Sequence, residues 1–226
     1  MIARRLIAGI GVVSLASTVS AQSSAAEPGR VAVSVGVVRH SSIAFGTREA
    51  NESTGAAGTF ALFSTSSELV GASGVDARVG VRVARAIEAE ASASYRKPQL
   101  RSRVVSDVEP SNAPIDISER VRQAAVAAGA LWYPPRLRLP LRARFFIAGS
   151  AGYLRRLDTR GTPIASGQTY ELGGGVRWLL KSRVKGWWKG IGARADARAV
   201  AQSRSLALDS RAHAAAAVGA SLYLRF

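Results

Sequence analysis

Residues 211–226 read RAHAAAAVGASLYLRF. Counted back from Phe226, every second residue is apolar: Leu224, Leu222, Ala220, Val218, Ala216, Ala214 and Ala212. The residues between them are Arg225, Tyr223, Ser221, Gly219, Ala217, Ala215, His213 and Arg211, which are small or polar. A period of two is the signature of a β-strand with one greasy face.

The same alternation recurs upstream. Arg30 to Phe45 opens the series, with Val31, Val33, Val35 and Val37 on one face and Ser34, Gly36 and His40 on the other. Residues 46–74 are rich in Gly, Ser, Thr and Glu and read as a long exposed loop. A short apolar piece in it, Phe60 to Phe63, could extend a strand or cover the mouth of a barrel. Val75 to Ala84 and Ile87 to Arg96 form a tight hairpin centred near Arg85. Its register sets Arg82 opposite Glu88 and Arg78 diagonal to Glu90, and opposite charges across a strand pair favour that pairing.

Residues 104–117, with Pro110, Asn112 and Pro114, read as loop, and Ser118 to Tyr133 as the fourth strand. Val126 and Trp132 lie on one of its faces; Gln123, Leu131 and Tyr133 lie on the other. Three prolines between Pro134 and Pro140 forbid a continuous strand there. The remaining strands are predicted at Leu141 to Leu157, Thr169 to Leu180, Gly190 to Gln202 and the closing segment. Loops fall at 158–168 and 203–210, with a basic, tryptophan-bearing turn at 181–189. Eight strands, with long and short connections alternating, are the layout of a closed antiparallel up-and-down transmembrane β-barrel of the outer-membrane type.

Alternation does not itself say which face points in, since a soluble lipocalin-type barrel is apolar inside and polar outside. Two features favour the inverted case. The charged face mixes ions with Gly, Ser and Ala, as a narrow lumen requires. The aromatics are spaced like girdles: Phe145 and Tyr153 share a face, as do Tyr170 and Trp178. Eight residues at ~3.4 Å each and a tilt near 45° rise roughly 19 Å, compatible with a ~25 Å apolar band. Tyr95, Tyr153 and Tyr170 then mark the outer interface, and Phe145, Trp178 and Phe226 the inner one.

The hairpin VDARVGVRVARAIEAEASASYR resembles the Gly-rich second and third strands of small outer-membrane barrels of the OmpA-transmembrane and opacity-protein type. The end, VGASLYLRF, resembles their closing strand. That resemblance implies that Leu222, Leu224 and Phe226 form part of a signal read by the barrel insertion machinery, with periplasmic chaperones on the way. It brings no peptidoglycan-binding domain after Phe226.

The N-terminus fits export. Two arginines, an apolar run from Leu6 to Leu15 and a small-residue site before Gln22 make residues 1–21 a signal peptide, too short to span a bilayer. A short leader, 22–29, precedes the barrel domain at 30–226. The chain has no cysteine, so disulfide staples and thiolate metal sites are excluded. A formal charge of +16 in an exported chain points to anionic envelope lipid, lipopolysaccharide outside and phospholipid inside, rather than to nucleic acid.

Candidate chemistry lies mainly in the lumen. Arg78, Arg82, Glu88, Glu90, Arg144, Glu171, Arg177, Arg194, Asp196 and Arg198 fall on the inward parity. Unpaired buried charge is costly, so each of these carboxylates should meet an arginine. Such a set reads either as a plug or as a narrow pathway for ions or small solutes gated by exchanging pairs; eight strands leave room for little more than side chains. Arg96, Lys97, Arg101, Arg103, Arg155 and Arg156 read as an outer basic rim, and Arg136, Arg138, Lys181, Arg183, Lys185 and Lys189 as an inner one, both suited to phosphate. Some small outer-membrane barrels act on lipid A or phospholipids with a His, a Ser and an acid. His40, followed by Ser41 and Ser42, and His213 could meet at the outer end, but no carboxylate is placed to orient them. No enzyme activity, cofactor or metal is expected. The role indicated is structural or surface-interacting, with residues 46–74 a possible ligand-binding loop.

Overall fold

The computed structural model describes residues 29–54, 58–105, 115–137, 139–140, 142–203 and 213–226. The signal peptide and all but the last residue of the leader lie outside them, as does Arg138. The strands are β1 (Val31–His40), β2 (Ile43–Thr54), β3 (Gly58–Val70), β4 (Ser73–Ala84), β5 (Ile87–Arg96), β6 (Gln99–Val105), β7 (Ile115–Arg120), β8 (Arg122–Trp132), β9 (Ala143–Leu157), β10 (Pro163–Ser182), β11 (Gly190–Ser203) and β12 (His213–Arg225).

Eight of these close an antiparallel barrel in the order β1-β12-β11-β10-β9-β8-β5-β4. The first and last strands seal it, with Val35 opposite Leu222 and Val33 opposite Leu224. Strands β4 and β5 pair in the expected register, Arg82 against Glu88 and Gly80 against Glu90.

The barrel is greasy outside. Val35, Val37, Val75, Val79, Val83, Val126, Leu172, Val218 and Leu222 are all exposed, Leu172 by 66% and Leu222 by 62%. The alternate positions are buried and largely polar: Ser34, Asp76, Arg78, Glu88, Gln123, Thr169, Arg177, Arg194, Asp196, Arg198 and Gln202. Inward glycines leave space for long neighbours. A Cβ on Gly192 would run into the Tyr223 ring, and one on Gly80 into the Glu88 carboxylate. Small beside large is how a narrow lumen fills.

Three expectations need correction. The stretch 46–74 is not a long loop, and 104–117 is not all loop. Strands β2, β3, β6 and β7 form a second, four-stranded sheet in the order β2-β3-β6-β7. Each prolongs a barrel strand beyond a short break: Ser41-Ser42 after β1, Gly71-Ala72 before β4, Lys97-Pro98 after β5 and Val121 before β8. The strand predicted at 30–45 is therefore divided at Ser41, and the one at 118–133 at Val121. Much of the extension is polar on both faces, so its backbone ladder and not an apolar stripe defines it. Finally, β10 starts at Pro163, which shortens the turn after β9 to residues 158–162.

The extension leans over the barrel mouth. Ile43, Phe45 and Leu69 are buried against Ala215 of β12, with Leu100 alongside. The Phe45 ring meets the His213 ring edge-on at 5.6 Å, and the Arg156 guanidinium lies 5.5 Å from its centroid. Apolar residues at the base of the extension thus cover the mouth, while Phe63 is 38% exposed and the side chains of residues 60–62 lie outside the described ones.

Candidate functional site: the charged barrel interior

Alternation along each barrel strand carries the ionic residues inward, and closure of the barrel then brings distant strands together. Glu88 on β5 accepts two hydrogen bonds from Nη1 of Arg177 on β10, one to each carboxylate oxygen at 2.9 Å. It also accepts from Arg225 on β12 at 3.2 Å and from the Tyr133 hydroxyl at 3.2 Å. Glu90 accepts from Arg194 on β11, directly across the barrel, and lies within 3.5 Å of Arg177 and 3.7 Å of Arg198.

Asp196 gathers three arginines at 2.9 Å: Arg78 from β4 and its strand neighbours Arg194 and Arg198. Arg78 also binds Asp76. Glu171 accepts from Arg198 at 2.7 Å and from the Ser150 hydroxyl at 3.4 Å. Every one of these five carboxylates meets at least one arginine. Arg177, Arg194 and Glu88 are each only 1% exposed, which removes the solvent screening that weakens surface pairs.

Aromatic rings floor the network. Arg194 stacks over Phe146 at 4.5 Å and Arg144 over Tyr133 at 4.5 Å. Arg177 sits among Tyr133, Phe146 and Tyr223, at 5.8, 5.9 and 5.4 Å. These contacts occupy guanidinium faces while the edges serve the carboxylates. A small cavity of about 10 Å³, beside Glu90, Ser92, Gly129 and Arg198, has room for about one water molecule.

The ten residues assigned to the lumen all take the inward parity; Arg82, Glu90, Arg144 and Glu171 are half-buried and the other six are buried. Sequence reasoning missed Asp76, Tyr133, Phe146, Tyr223 and Arg225 as members of the network. Each continues the inward parity of its strand, so counting in twos from Arg78, Gln123, Arg144 or Ser221 would have found them.

The outer basic rim needs correction. Lys97, Arg101, Arg103 and Arg155 are exposed, but Arg96 and Arg156 are 5% and 1% exposed and point into the barrel. They share the inward parity of Glu88 and of Arg144, which outweighs their position near strand ends. Among the described residues, nine arginines (78, 82, 96, 144, 156, 177, 194, 198 and 225) thus face five carboxylates (76, 88, 90, 171 and 196) inside the barrel.

Of the expected aromatic girdle, Tyr95, Tyr153, Tyr170 and Trp178 are exposed on the outward face, and Phe145 and Phe226 are half-covered. Phe226 packs on Trp187 at 5.5 Å between ring centroids. Its amide and carbonyl bond the start of β1, to Val31 at 2.9 Å and from Arg30 at 2.8 Å. Leu222 is exposed and Leu224 half-covered.

The two histidines stand near the open end of the barrel, His40 closing β1 and His213 opening β12. His40 is buried and its Nδ1 has no hydrogen-bond partner, while the Ser41 hydroxyl accepts from the Ala216 amide at 3.0 Å. Among the described residues no cluster of three or more His, Asp or Glu side chains has the grouping of a metal site.

No family model matches the sequence, and no curated protein matches it. A solved structure similar to this chain is that of the outer membrane protein OprG from Pseudomonas aeruginosa, at 10% identity and a TM-score of 0.45, covering 88% of this chain and 98% of that one.

Proposed function

We propose that this chain is an integral outer-membrane protein, exported through its N-terminal signal peptide, whose lumen is plugged and whose role is structural or surface-interacting. One observation carries the reading: the barrel exposes valines and leucines and buries its ions. In water that inversion exposes a large apolar surface; in a bilayer it places hydrocarbon against hydrocarbon. The cross-lumen pairs then act as the plug, because an ion passing Glu88 and Glu90 must displace several arginines at once. No enzymatic activity is assigned: His213 packs on Phe45, and Nδ1 of His40 is buried without a hydrogen-bond partner.

The exposed Arg136, Lys181, Arg183 and Lys185 and the half-buried Lys189, with Trp187, suit anionic headgroups at the turn end. Lys97, Arg101, Arg103 and Arg155 suit lipopolysaccharide phosphates at the other. Insertion by the barrel machinery and delivery by periplasmic chaperones follow from the closing strand.

Membrane fractionation together with heat-modifiable migration on a gel tests location and closure; recovery in the soluble periplasm overturns the reading. Planar-bilayer recording tests the plug. A second reading, a narrow pore, is favoured by the sharing of Glu90 among Arg177, Arg194 and Arg198, which offers exchangeable partners. Steady unitary conductance from the purified protein would favour that pore.

A further inference from the structure

We propose that Arg96 and Arg156 form a binding site for a small oxyanion of the phosphate class, beneath the sheet that leans over the barrel mouth. The two arginines lie on β5 and β9, on either side of β8. Gln123 of β8 pairs in register with both. All three side chains point inward and are buried.

What surrounds them is polar but neutral. Arg156 donates to Gln202 at 2.6 Å and to Gln123 at 3.4 Å, both amide oxygens. Nη2 of Arg96 is buried without a hydrogen-bond partner. His40, with its buried and unbonded Nδ1, is close enough to feel the charge of Arg96. The carboxylate acting on Arg96 is Glu171, already committed to Arg198 and Ser150. Phe45, one of the buried residues at the base of the extension, lies 5.5 Å from the Arg156 guanidinium.

Lower in the barrel every buried carboxylate has its arginine; here, among the described residues, no carboxylate is hydrogen-bonded to either cation. A buried cation left unpaired is strongly unfavourable, and a second one beside it compounds the cost. Guanidinium forks match the oxygens of phosphate, and forks on the two strands that flank β8 grip one oxyanion from two sides. The same chemistry serves a free anion and a lipid headgroup, and the two arms of the test separate them. The site depends only on the barrel interior and stands whether or not the protein resides in the outer membrane.

The test is isothermal titration of the folded protein in a non-ionic maltoside detergent. One arm uses sodium phosphate against sodium chloride of equal ionic strength; the other uses short-chain phosphatidic acid in the same micelles. Wild type should bind with a stoichiometry near one. Arg96→Gln should weaken binding at least tenfold, with retention of the fold checked by gel migration. Arg155→Gln, on the outward face, should leave binding unchanged. Saturable binding of free phosphate assigns the site to a soluble anion, and binding of phosphatidic acid alone assigns it to a headgroup. Binding in neither arm, or an Arg96→Gln variant that binds as wild type does, overturns the proposal.

Discussion

Replacing Glu88 with Gln removes one charge and almost no volume from the most heavily bonded carboxylate in the lumen. Arg177 loses the anion at 2.9 Å that holds β10 to β5, and Arg225 loses the one at 3.2 Å that holds β12 to β5. Breaking a buried pair by removing one partner costs about 3–5 kcal/mol, because the other charge remains buried. Arg177 keeps Glu90 at 3.5 Å, and the new amide oxygen still accepts from Tyr133, so the lower end applies, about 3 kcal/mol. That corresponds to roughly a hundredfold in the unfolding equilibrium. Urea unfolding in lipid vesicles, followed by tryptophan fluorescence and by the folded band on gels, measures it. The companion variant Glu88→Gln with Arg177→Met should recover at least half of the loss, since the stranded cation is gone. A single-variant loss below about 1 kcal/mol, or a double variant no better than the single, would refute the view that these pairs bind the walls together.

Val79→Arg places a charge at the centre of the outward apolar run of β4; it should cost about 2–4 kcal/mol in vesicles, whereas in a water-soluble barrel an exposed site is close to neutral. Gly192→Val sets a side chain against the Tyr223 ring and should abolish the heat-modifiable folded band. Phe45→Ala removes a fully buried anchor of the extension, about 3 kcal/mol, and should speed proteolytic nicking within 43–70 while the barrel stays folded. Asp158 accepts the Thr162 amide at 2.7 Å, and this bond first, with those from Arg160 and Gly161, holds its carboxyl below the usual range. A lowered value means the contact is present above the ordinary carboxylate pKa and lost as pH falls through the lowered one. The protection of the Thr162 amide against exchange, taken relative to the unprotected rate at each pH, should therefore hold at neutral pH and fall only below about pH 4.

The barrel strands were legible because they have two unlike faces. Val75 to Val83 against Asp76 to Arg82 is a contrast that only a strand with grease on one side produces. The extension was not legible for the same reason. Thr47 to Thr54 and Ser64 to Glu68 carry polar residues on both parities, so composition matches a loop although the backbone is fully paired. The interior was read where charge recurred on one parity and misread at strand ends. Arg96 and Arg156 were assigned by height along the strand, when the two-residue count already turned them inward. Tyr133, Phe146 and Tyr223 were harder, because an aromatic on the inward parity looks like a break in the pattern until the arginines stacked on it are seen.

The four interruptions at Ser41-Ser42, Gly71-Ala72, Lys97-Pro98 and Val121 fall side by side across neighbouring strands. Together they score a single crease through half of the circumference. Backbone hydrogen bonds still tie the strands at that height, from the His40 amide to Ala72 at 3.0 Å and from the Val121 amide to Pro98 at 2.9 Å, and the pairing of β3 with β6 joins the two hairpins above it into one leaf. A load on the tip of either hairpin, from a bound macromolecule or a fused tag, is felt by both and lands on Ile43, Phe45 and Leu69.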